Sequence, residues 1–420
     1  MLFYMAKISK KGVTAKIFRI FILSLHRTIS TLMKIGRIHI GLLPLILAAI
    51  ILGIVLGNVL SEGWVRVFVT FNGVFGQLLG FLVPLIIVGL VTPAIAGIGR
   101  GAGKMLLVTV AIAYADTIAA GLLAYGTGSW LFPSMVEAAG NVSVEQAAEL
   151  KPYFEIKIPA MLDVMAALVF SFMTGLGIIY TNGKTLKSVF DEFQRIISLT
   201  IAKVIIPLLP LYILGIFINM TFTGQAYRIL IVFAQIIIVI IVLHVVVLLY
   251  EFAIAGGFAH KNPLRLLWTM LPAYLTALGT SSSAATIPVT LEQTIKNGVD
   301  RFVAGFTVPL CATIHMSGSM MKITACALTV CLMSGLPHDF PLFINFLLLL
   351  GVCMVAGPGV PGGAIMAALG PLASVLGFTA EQQALMIALY IAMDSFGTAC
   401  NVTGDGAVAI VVDKIFSKKK

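Results

Sequence analysis

The chain has 420 residues, of which 60% are hydrophobic and 10% are charged, and its mean hydropathy is +1.07. Soluble domains contain about 45–50% apolar residues, so this composition excludes a water-soluble protein and predicts one that lies in a lipid bilayer. The net charge of +10 does not indicate a nucleic-acid partner, because the basic residues concentrate at the two ends of the chain.

The first 39 residues form a basic segment with eight Lys or Arg and no Asp or Glu. Because basic residues tend to stay on the cytoplasmic side of a membrane, we expect residues 1–39 to be a cytoplasmic extension and residues 416–420 to be a cytoplasmic tail. The acidic connection at 128–159 is the best candidate for an outside loop. These features predict a multi-pass protein of a cell (plasma) membrane, such as a bacterial inner membrane, with an even number of crossings.

Six long apolar segments follow, and they lie near residues 40–61, 67–98, 103–126, 160–180, 188–220 and 227–254. A helix needs about 20 apolar residues to cross the hydrocarbon layer of a bilayer. These segments are apolar all round, whereas the strands of a membrane barrel would alternate apolar and polar residues. They therefore predict an all-α polytopic membrane protein.

After residue 256 the apolar segments become interrupted. Two of them, Ala277–Thr290 and Val355–Met366, are broken by small residues and prolines, and each precedes a long helix, predicted at 300–334 and 378–413. Unwound backbone at membrane depth is tolerated only where it is buried in protein or lines a water-filled cavity, because its amides and carbonyls need partners. A pair of such segments indicates the binding site of a secondary transporter.

On the last predicted helix, four polar side chains share one narrow stripe, since successive residues are rotated by about 100°. They are Asp394, Thr398, Asn401 and Asp405, with Gly397 at the edge of the stripe. An ionisable residue inside a membrane costs at least a few kcal/mol unless it faces a cavity or a partner, so the stripe indicates function. Carboxylates beside other oxygens suit hard cations. Two of them indicate two cations, one inorganic and one a substrate amine.

Four segments resemble, in order and spacing, the signature segments of the dicarboxylate/amino acid:cation symporter family, and they read "GTSSSAATIPVT", "VPLCATIHMSGS", "AGPGVPGG" and "AMDSFGTACNVTGD". The resemblance implies eight transmembrane helices and two re-entrant helical hairpins in inverted repeats, a homotrimer, and an elevator-type movement. Residues 40–254 would hold helices 1–6, with helices 1, 2, 4 and 5 as a trimerisation scaffold. Residues 255–415 would form the transport core of hairpin 1, helix 7, hairpin 2 and helix 8, with helices 3 and 6 attached to it.

The resemblance also implies a substrate pocket between the hairpins and the last helix. Its predicted substrate-binding residues are Ser281, Ser282, Ser283, Val360, Gly362, Asp394, Gly397, Thr398 and Asn401. Within this set, Ser283 matches the position that holds a substrate α-carboxylate, and Asp394 matches the acid that binds the amino group. The predicted sodium ligands are Cys311, His315, Asn401 and Asp405. Sodium is thus the expected coupling ion, and no prosthetic group is implied.

Gly397 departs from the family pattern. Members that take acidic substrates carry an arginine at this position, which pairs with the side-chain carboxylate of the substrate. A buried carboxylate without that partner would be costly. Glycine leaves space instead, and the serine-rich tip at 280–282 has no cation. We therefore expect a neutral amino acid as substrate, with an acidic amino acid or a dicarboxylate as the alternative.

Helix 7 departs as well, because His315-Met316-Ser317-Gly318-Ser319 stands where the family has Asn-Met-Asp-Gly-Thr. One further sodium site of the family is therefore predicted to be lost. The candidates for a replacement coupling device are Asp116, His315, Ser317 and Lys322. An ion pair of Asp116 with Lys322 would replace a bound ion. Alternatively, His315 would carry a coupled proton. The third possibility is that the ion pair of Asp116 with Lys322 is purely structural.

Together these features predict a secondary active symporter, not an enzyme, that takes up an amino acid with sodium. Coupling to protons is an alternative within the same fold. A membrane-embedded serine hydrolase with His315 as base is a remote alternative, since no Gly-x-Ser-x-Gly elbow occurs. A channel would need repeated rings of charge, whereas the polar residues here are arranged asymmetrically. The five cysteines lie in apolar segments without metal-ligand spacing and are expected to be packing residues.

Overall fold

The computed structural model describes residues 34–35, 38–39, 42–98, 103–138, 150–224, 226–355 and 362–416. Almost all of this part of the chain is helical, as predicted. The exception is a pair of two-residue strands, β1 (Lys34–Ile35) and β2 (Ile38–His39), which pair antiparallel inside the basic extension. The all-α prediction did not include them.

In the first half, the described residues form seven α-helices, and they are α1 (Leu42–Val59), α2 (Glu62–Ile98), α3 (Lys104–Ala138), α4 (Val164–Thr181), α5 (Lys184–Thr200), α6 (Ile206–Phe222) and α7 (Ala226–Ala259). A π-helical turn at Ile201–Ile205 joins α5 to α6. All six predicted segments are therefore helical. The predicted connection at 128–159 was placed too early at its N-terminal end, because α3 continues to Ala138. Gly128 does not end the helix but allows close contact with Phe132 and Leu328.

In the second half, nine α-helices occur among the described residues, and they are α8 (Pro263–Thr269), α9 (Leu271–Thr280), α10 (Ser283–Lys296), α11 (Arg301–Ile314), α12 (Ser317–Ser334), α13 (Phe340–Val355), α14 (Gly363–Ser374), α15 (Ala380–Ala392) and α16 (Asp394–Phe416). The two predicted breaks occur between α9 and α10 and between α13 and α14. In addition, both predicted long helices are interrupted, one at His315–Met316 and one at Met393. These two interruptions were not predicted.

Local capping explains where several of these helices begin. Ser282 accepts the backbone N–H of Ala285 at 3.3 Å and caps α10. Asp300 accepts the N–H of Phe302 at 2.8 Å and caps α11. Thr379 and Gln382 form a reciprocal capping box at the start of α15, in which each side chain accepts the backbone N–H of the other residue. Each cap satisfies amides that the first helical turn leaves without an intrahelical partner.

Helix α16 lies at the centre of the second half. It contacts α7, α9, α10, α11 and α12, and every residue from Gly397 to Asp413 is buried. Elsewhere α1 packs along α6, α2 along α4, and α3 along α12. A helix that carries three acids and an amide is thus enclosed by protein, which keeps its polar groups away from lipid.

Six helical stretches are long and apolar enough to cross a membrane, and among the described residues they are Glu62–Gly97, Lys104–Glu137, Lys184–Phe222, Ile229–Ala259, Arg301–Ser334 and Asp394–Phe416. Shorter apolar helices accompany them, and the described ones are Pro44–Val59, Ala166–Thr181, Phe340–Val355 and Gly363–Ser374. This arrangement fits the predicted multi-pass membrane protein. The number of eight crossings stays a prediction.

Candidate functional site

The first broken segment brings its serine-rich tip to the start of α16. Ser281 has a left-handed backbone with φ +50°, and its side-chain hydroxyl is 2.7 Å from the hydroxyl of Ser395. Ser282 then caps α10, whose first residue is Ser283. The first predicted tip residue, Ser281, therefore lies beside the first turn of α16, and Ser282 and Ser283 follow it at the start of α10.

The second broken segment reaches the same turn. Gly362 has φ +75°, a conformation that glycine adopts without steric cost, and its backbone N–H donates to Asp394 Oδ2 at 2.9 Å. Thr398 donates its hydroxyl to the backbone carbonyl of Asp394 at 2.9 Å. Val360 lies outside the described residues. Both broken segments thus meet at Asp394 and Ser395, as the predicted pocket requires.

Asn401 connects α16 to α12. Its Oδ1 accepts the backbone N–H groups of Gly318 at 2.9 Å and Ser319 at 3.2 Å, and its Nδ2 donates to Ser319 Oγ at 3.1 Å. Gly318 permits this approach, since a Cβ there would lie 2.5 Å from Cys400 Cβ. The amide therefore holds the start of α12, whose N-cap residue makes no side-chain cap. Its predicted contacts with substrate and sodium stay predictions.

His315 lies between two carboxylates. Its backbone is extended, with φ −100° and ψ 112°, and its N–H donates to the carbonyl of Cys311 at 2.8 Å. Its Nε2 is 2.7 Å from Asp116 Oδ2, and its Nδ1 is 3.0 Å from Asp405 Oδ1. His315 is 1% exposed, and its ring links the end of α11 to α3 and α16.

The predicted pair of Asp116 with Lys322 was wrong, because Asp116 pairs with His315 instead. The seven-residue spacing from His315 to Lys322 predicted one helix face. That inference required a continuous helix, whereas the chain is interrupted at His315–Met316. Lys322 consequently points to a different part of α16.

Glu251 on α7 is a buried acid that the sequence analysis did not include. It is 4% exposed, and neither carboxylate oxygen has a hydrogen-bond partner of good geometry among the described residues. Ligand atoms of Asp116, Glu251 and His315 all lie within 4.8 Å of one another. The signal was available, since Glu251 is the only acid in α7 and directly follows the apolar run that ends at residue 250.

Asp116, Glu251 and Asp405 with His315 form what we call the acidic cluster. Ser317 lies beside it, fully buried, and its hydroxyl has no hydrogen-bond partner of good geometry in the described part of the chain. A cavity of about 390 Å³ between α3, α7 and α16 reaches Asp116 and Glu251. Three carboxylates lie around the single imidazole of His315, so protonation of that ring would neutralise the charge of only one of them. Buried carboxylates need such compensation, which a bound cation or protons can supply.

Lys322 lies near the start of α16, where it contacts Gly397, seven residues before the glycine that contacts the acidic cluster. It is 1% exposed, its Nζ donates to the carbonyl of Met393 at 3.0 Å, and it lies 4.0 Å above the ring of Tyr390. A Cβ on Gly397 would overlap Nζ and Cε of Lys322. The prediction that Gly397 leaves free space was therefore wrong, since the lysine fills that space.

All five cysteines are buried and unbridged, in agreement with a packing role. The carbonyl of Cys311, a predicted sodium ligand, accepts the His315 N–H and lies one helical turn from the acidic cluster.

The model of the sodium:dicarboxylate symporter family matches residues 42–415 of the chain. The chain belongs to the sodium:dicarboxylate symporter family. The predicted resemblance is confirmed.

Several curated proteins are similar to it. Bovine (Bos taurus) excitatory amino acid transporter 1 is 29% identical over 265 residues, which are 60% of this chain and 47% of that protein. Rat (Rattus norvegicus) neutral amino acid transporter B(0) is 29% identical over 164 residues, or 39% of this chain and 29% of the rat protein. Mouse (Mus musculus) excitatory amino acid transporter 3 is 33% identical over 160 residues, or 38% and 30%. The chain thus spans about half or less of the length of these relatives.

Membership of this symporter family removes the hydrolase alternative, since the relatives are named as transporters and not as enzymes. It leaves the substrate open, because relatives named for excitatory and for neutral amino acids match at similar identity.

Proposed function

We propose that this protein is a secondary active symporter that takes up an amino-acid-type substrate across a cell membrane together with sodium. The observation that carries the proposal is the meeting of both broken segments at Asp394, where Ser281 contacts Ser395 and Gly362 donates to the carboxylate. Unwound backbone around a buried acid offers both amide donors and a negative charge. Such a site suits a zwitterion.

In this pocket Asp394 binds the substrate amino group, and Ser283 with the tip of the first hairpin binds the α-carboxylate. Gly362 and Val360 belong to the second hairpin and close the pocket, while Thr398 and Asn401 line it. Asp394 is a buried acid at the point where both broken segments meet, and its negative charge there supports a role in binding an ammonium group. The space at Gly397 no longer supports a neutral substrate, because the end of Lys322 fills it. Neutral and acidic amino acids are therefore both candidates.

Sodium binds close to the acidic cluster, with Asp405, Asn401 and the carbonyls around Cys311 and His315 as ligands. The excess of buried carboxylate over imidazole supports a cation there, and oxygen ligands favour a hard one. Glu251, Asp116 and Ser317 contribute to the same region. A proton is the second candidate for the coupling ion, and it is favoured by the position of His315 between two carboxylates.

The assembly proposed from the family is a homotrimer with an elevator-type movement and with both termini in the cytoplasm, as in a bacterial inner membrane. Residues 255–415 would be the moving core with two re-entrant hairpins. Within residues 40–254, helices 1, 2, 4 and 5 would supply the scaffold, and helices 3 and 6 would move with the core. The separate apolar cluster around α8, α9, α11 and α16 supports a core that packs as a unit.

Counterflow in liposomes tests the proposal. The purified protein is reconstituted with a panel of unlabelled amino acids and dicarboxylates inside, and labelled substrate outside, with or without sodium and at two pH values. We expect accumulation that requires sodium. Accumulation that ignores sodium but follows a pH gradient would select the proton instead. No accumulation of any substrate, by protein that is folded and monodisperse, would contradict the transporter proposal.

A further inference from the structure

Three side chains of the acidic cluster converge on one point from separate helices. Asp116 lies on α3, Glu251 on α7 and His315 at the end of α11, and one ligand atom of each lies within 4.8 Å of the others. Glu251 Oε2 and His315 Cε1 both face Gly404, where a Cβ would lie 2.5 and 2.7 Å from them. An imidazole nitrogen and two carboxylate oxygens are therefore close enough to share one ion.

Glu251 is the member of this group whose charge is least compensated. The residue is 4% exposed, and in the described part of the chain neither of its carboxylate oxygens has a hydrogen-bond partner of good geometry. The hydroxyl of Ser317, beside the cluster, is also buried without such a partner there. Burying a carboxylate is expensive unless it is paired or coordinates a metal. The position of Glu251 therefore requires a cation from outside the chain, or a proton.

The imidazole of His315 is oriented for metal binding. Its Nδ1 is 3.0 Å from Asp405 Oδ1, and its Nε2 is 2.7 Å from Asp116 Oδ2. A proton on Nδ1 that is donated to Asp405 leaves the lone pair of Nε2 for an ion shared with Asp116. Histidines that bind metals almost always donate their other ring N–H to a carboxylate, a carbonyl or water, which fixes the ring and raises its basicity. Asp405 thus positions the ring without binding this ion itself.

The ligand set separates a transition metal from sodium, magnesium and calcium. Magnesium and calcium take oxygen ligands, whereas an imidazole with carboxylates suits zinc and related metals. The family pattern has asparagine where His315 stands, and asparagine would offer an amide oxygen instead of a ring nitrogen. In addition, the carboxylates of Asp116 and Glu251 beside a neutral imidazole carry two negative charges. A divalent ion balances both charges, and a monovalent ion balances one.

A cavity gives an ion access to two of the three ligands. It has a volume of about 390 Å³, lies between α3, α7 and α16, and is lined by Asp116, Tyr250 and Glu251 among apolar side chains. The side chain of Asp116 is 14% exposed, whereas that of His315 is fully buried. An ion would therefore enter past Asp116. One water needs only about 30 Å³, so water from the cavity can take the fourth position of a three-ligand zinc site.

We infer that Asp116, Glu251 and His315 form a binding site for a divalent transition-metal ion, with zinc as the best match. Zinc bonds to nitrogen and oxygen are about 2.0–2.2 Å long, so two ligand atoms of one tetrahedral ion lie roughly 3–3.5 Å apart. The distance of 2.7 Å between Nε2 and Oδ2 and the upper limit of 4.8 Å for the whole group bracket this range. Small side-chain shifts would bring all three atoms to bonding distance.

This ion would join α3, α7 and the end of α11, all of which belong to the proposed moving core, so it would brace that core from inside. The binding goes beyond the proposed function and does not depend on transport. The competing arrangement is a protonated Glu251 that shares its proton with Asp116 and needs no metal.

Metal analysis of the full chain tests the site. The protein is purified without a polyhistidine tag, treated with a chelator and dialysed against zinc, and mass spectrometry of the metal counts the bound ions. We expect one zinc per chain, which excess magnesium or calcium does not displace. X-ray absorption at the zinc edge should show nitrogen and oxygen neighbours at about 2.0–2.2 Å and no sulfur at about 2.3 Å, because no cysteine belongs to the site.

Two variants then assign the zinc to this group. Glu251→Gln and Asp116→Asn each remove one charged ligand. They should weaken zinc binding by more than the roughly 10- to 100-fold that loss of an outer-shell partner costs. Asp413→Asn is the matched control, since it changes another buried acid, one that accepts the N–H of Asp300 away from the cluster. This variant should bind zinc as the original protein does.

One zinc with nitrogen and oxygen neighbours, lost in both ligand variants and kept in Asp413→Asn, supports the inference. No zinc above background, sulfur among the neighbours, or unchanged affinity in either ligand variant would overturn it and favour the shared proton. The spectrum and the zinc count of the original protein decide the matter if a variant does not fold. No substrate is involved, so these outcomes leave the transporter proposal to the counterflow assay.

Discussion

Two glycines of α16 decide which charged side chains can approach this helix. Gly397 lies against the end of Lys322, and Gly404 lies against the carboxylate of Glu251 and the ring of His315. In both cases a charged group on a neighbouring helix occupies the volume of a missing Cβ. The positions of these charged side chains therefore require glycine at 397 and 404, because a Cβ at either position would displace them.

Replacing Gly404 with alanine should disturb the acidic cluster. The new Cβ would lie 2.5 Å from Glu251 Oε2 and 2.7 Å from His315 Cε1, so both side chains must move. We expect a loss of stability of about 1–3 kcal/mol and a higher sodium concentration for half-maximal transport. The control is Gly305→Ala on α11, where nothing lies within 4 Å of the added atom. Equal melting temperatures and equal sodium dependence for the two variants would refute this prediction.

Asp405→Asn should weaken the dependence on sodium more than it reduces expression. One buried charged interaction is worth about 1.5–3 kcal/mol, so the half-saturating sodium concentration should rise roughly tenfold or more. Asp413→Asn is the matched control, because Asp413 is also a buried acid on α16. It accepts the N–H of Asp300 at 3.1 Å through Oδ1, which an amide oxygen can replace. The result that speaks against a sodium site at Asp405 is an unchanged sodium response in uptake assays.

Helical periodicity was sufficient to find Asp394, Thr398, Asn401 and Asp405, and all four are buried on α16. Periodicity within one helix says nothing about which residue of another helix lies opposite. The position of Lys322 beside Gly397 depends on how α12 crosses α16. For that reason the glycine was interpreted as empty space.

The interruptions of the two long helices of the second half had no sequence signal as strong as the Gly/Pro-rich segments. The break at His315–Met316 is held by Asn401, which caps α12 from a different helix. The break at Met393 is held by Lys322, which donates to its carbonyl. Both partners are more than 70 residues away along the chain. Local propensity predicts breaks made by glycine and proline, but not breaks that a distant side chain stabilises.

In the contact between α1 and α6, two glycines of α1 that are four residues apart, Gly53 and Gly57, lie against α6. A Cβ on Gly57 would lie 2.6 Å from Thr221 Cβ and 2.7 Å from the carbonyl of Ile218. Small residues at this spacing let membrane helices approach closely. Gly57→Ala should therefore separate α1 from α6 and lower the free energy of unfolding by about 1–3 kcal/mol.

Thermal unfolding in detergent measures this effect. Gly80→Ala on α2 is the control, since it has nothing within 4 Å of the added atom and should melt like the original protein. If Gly57→Ala melts at the same temperature as that control, close packing at this crossing does not contribute to stability.

In the whole molecule, α15 of the second half contacts three helices of the proposed scaffold. It contacts α1, α2 and α6, and Tyr212 on α6 donates its hydroxyl to the carbonyl of Ala380 at 3.1 Å. Under the proposed movement, these contacts lie on the boundary between the scaffold and the moving core. They must therefore break and reform in each transport cycle.

A disulfide across this boundary tests the movement. A Cβ on Gly76 of α2 would lie 3.1 Å from Ala380 Cβ, close to the roughly 3.5–4.5 Å that a disulfide spans. The double variant Gly76→Cys/Ala380→Cys should lose transport on oxidation and regain it on reduction, because the bond would hold the core in one position. Mass spectrometry of peptides monitors bond formation, and each single variant controls for the substitutions and for oxidation of the five native cysteines. Full transport by a completely bridged protein would mean that the core does not move against α2, because a covalent link across a sliding boundary cannot be accommodated by small side-chain shifts.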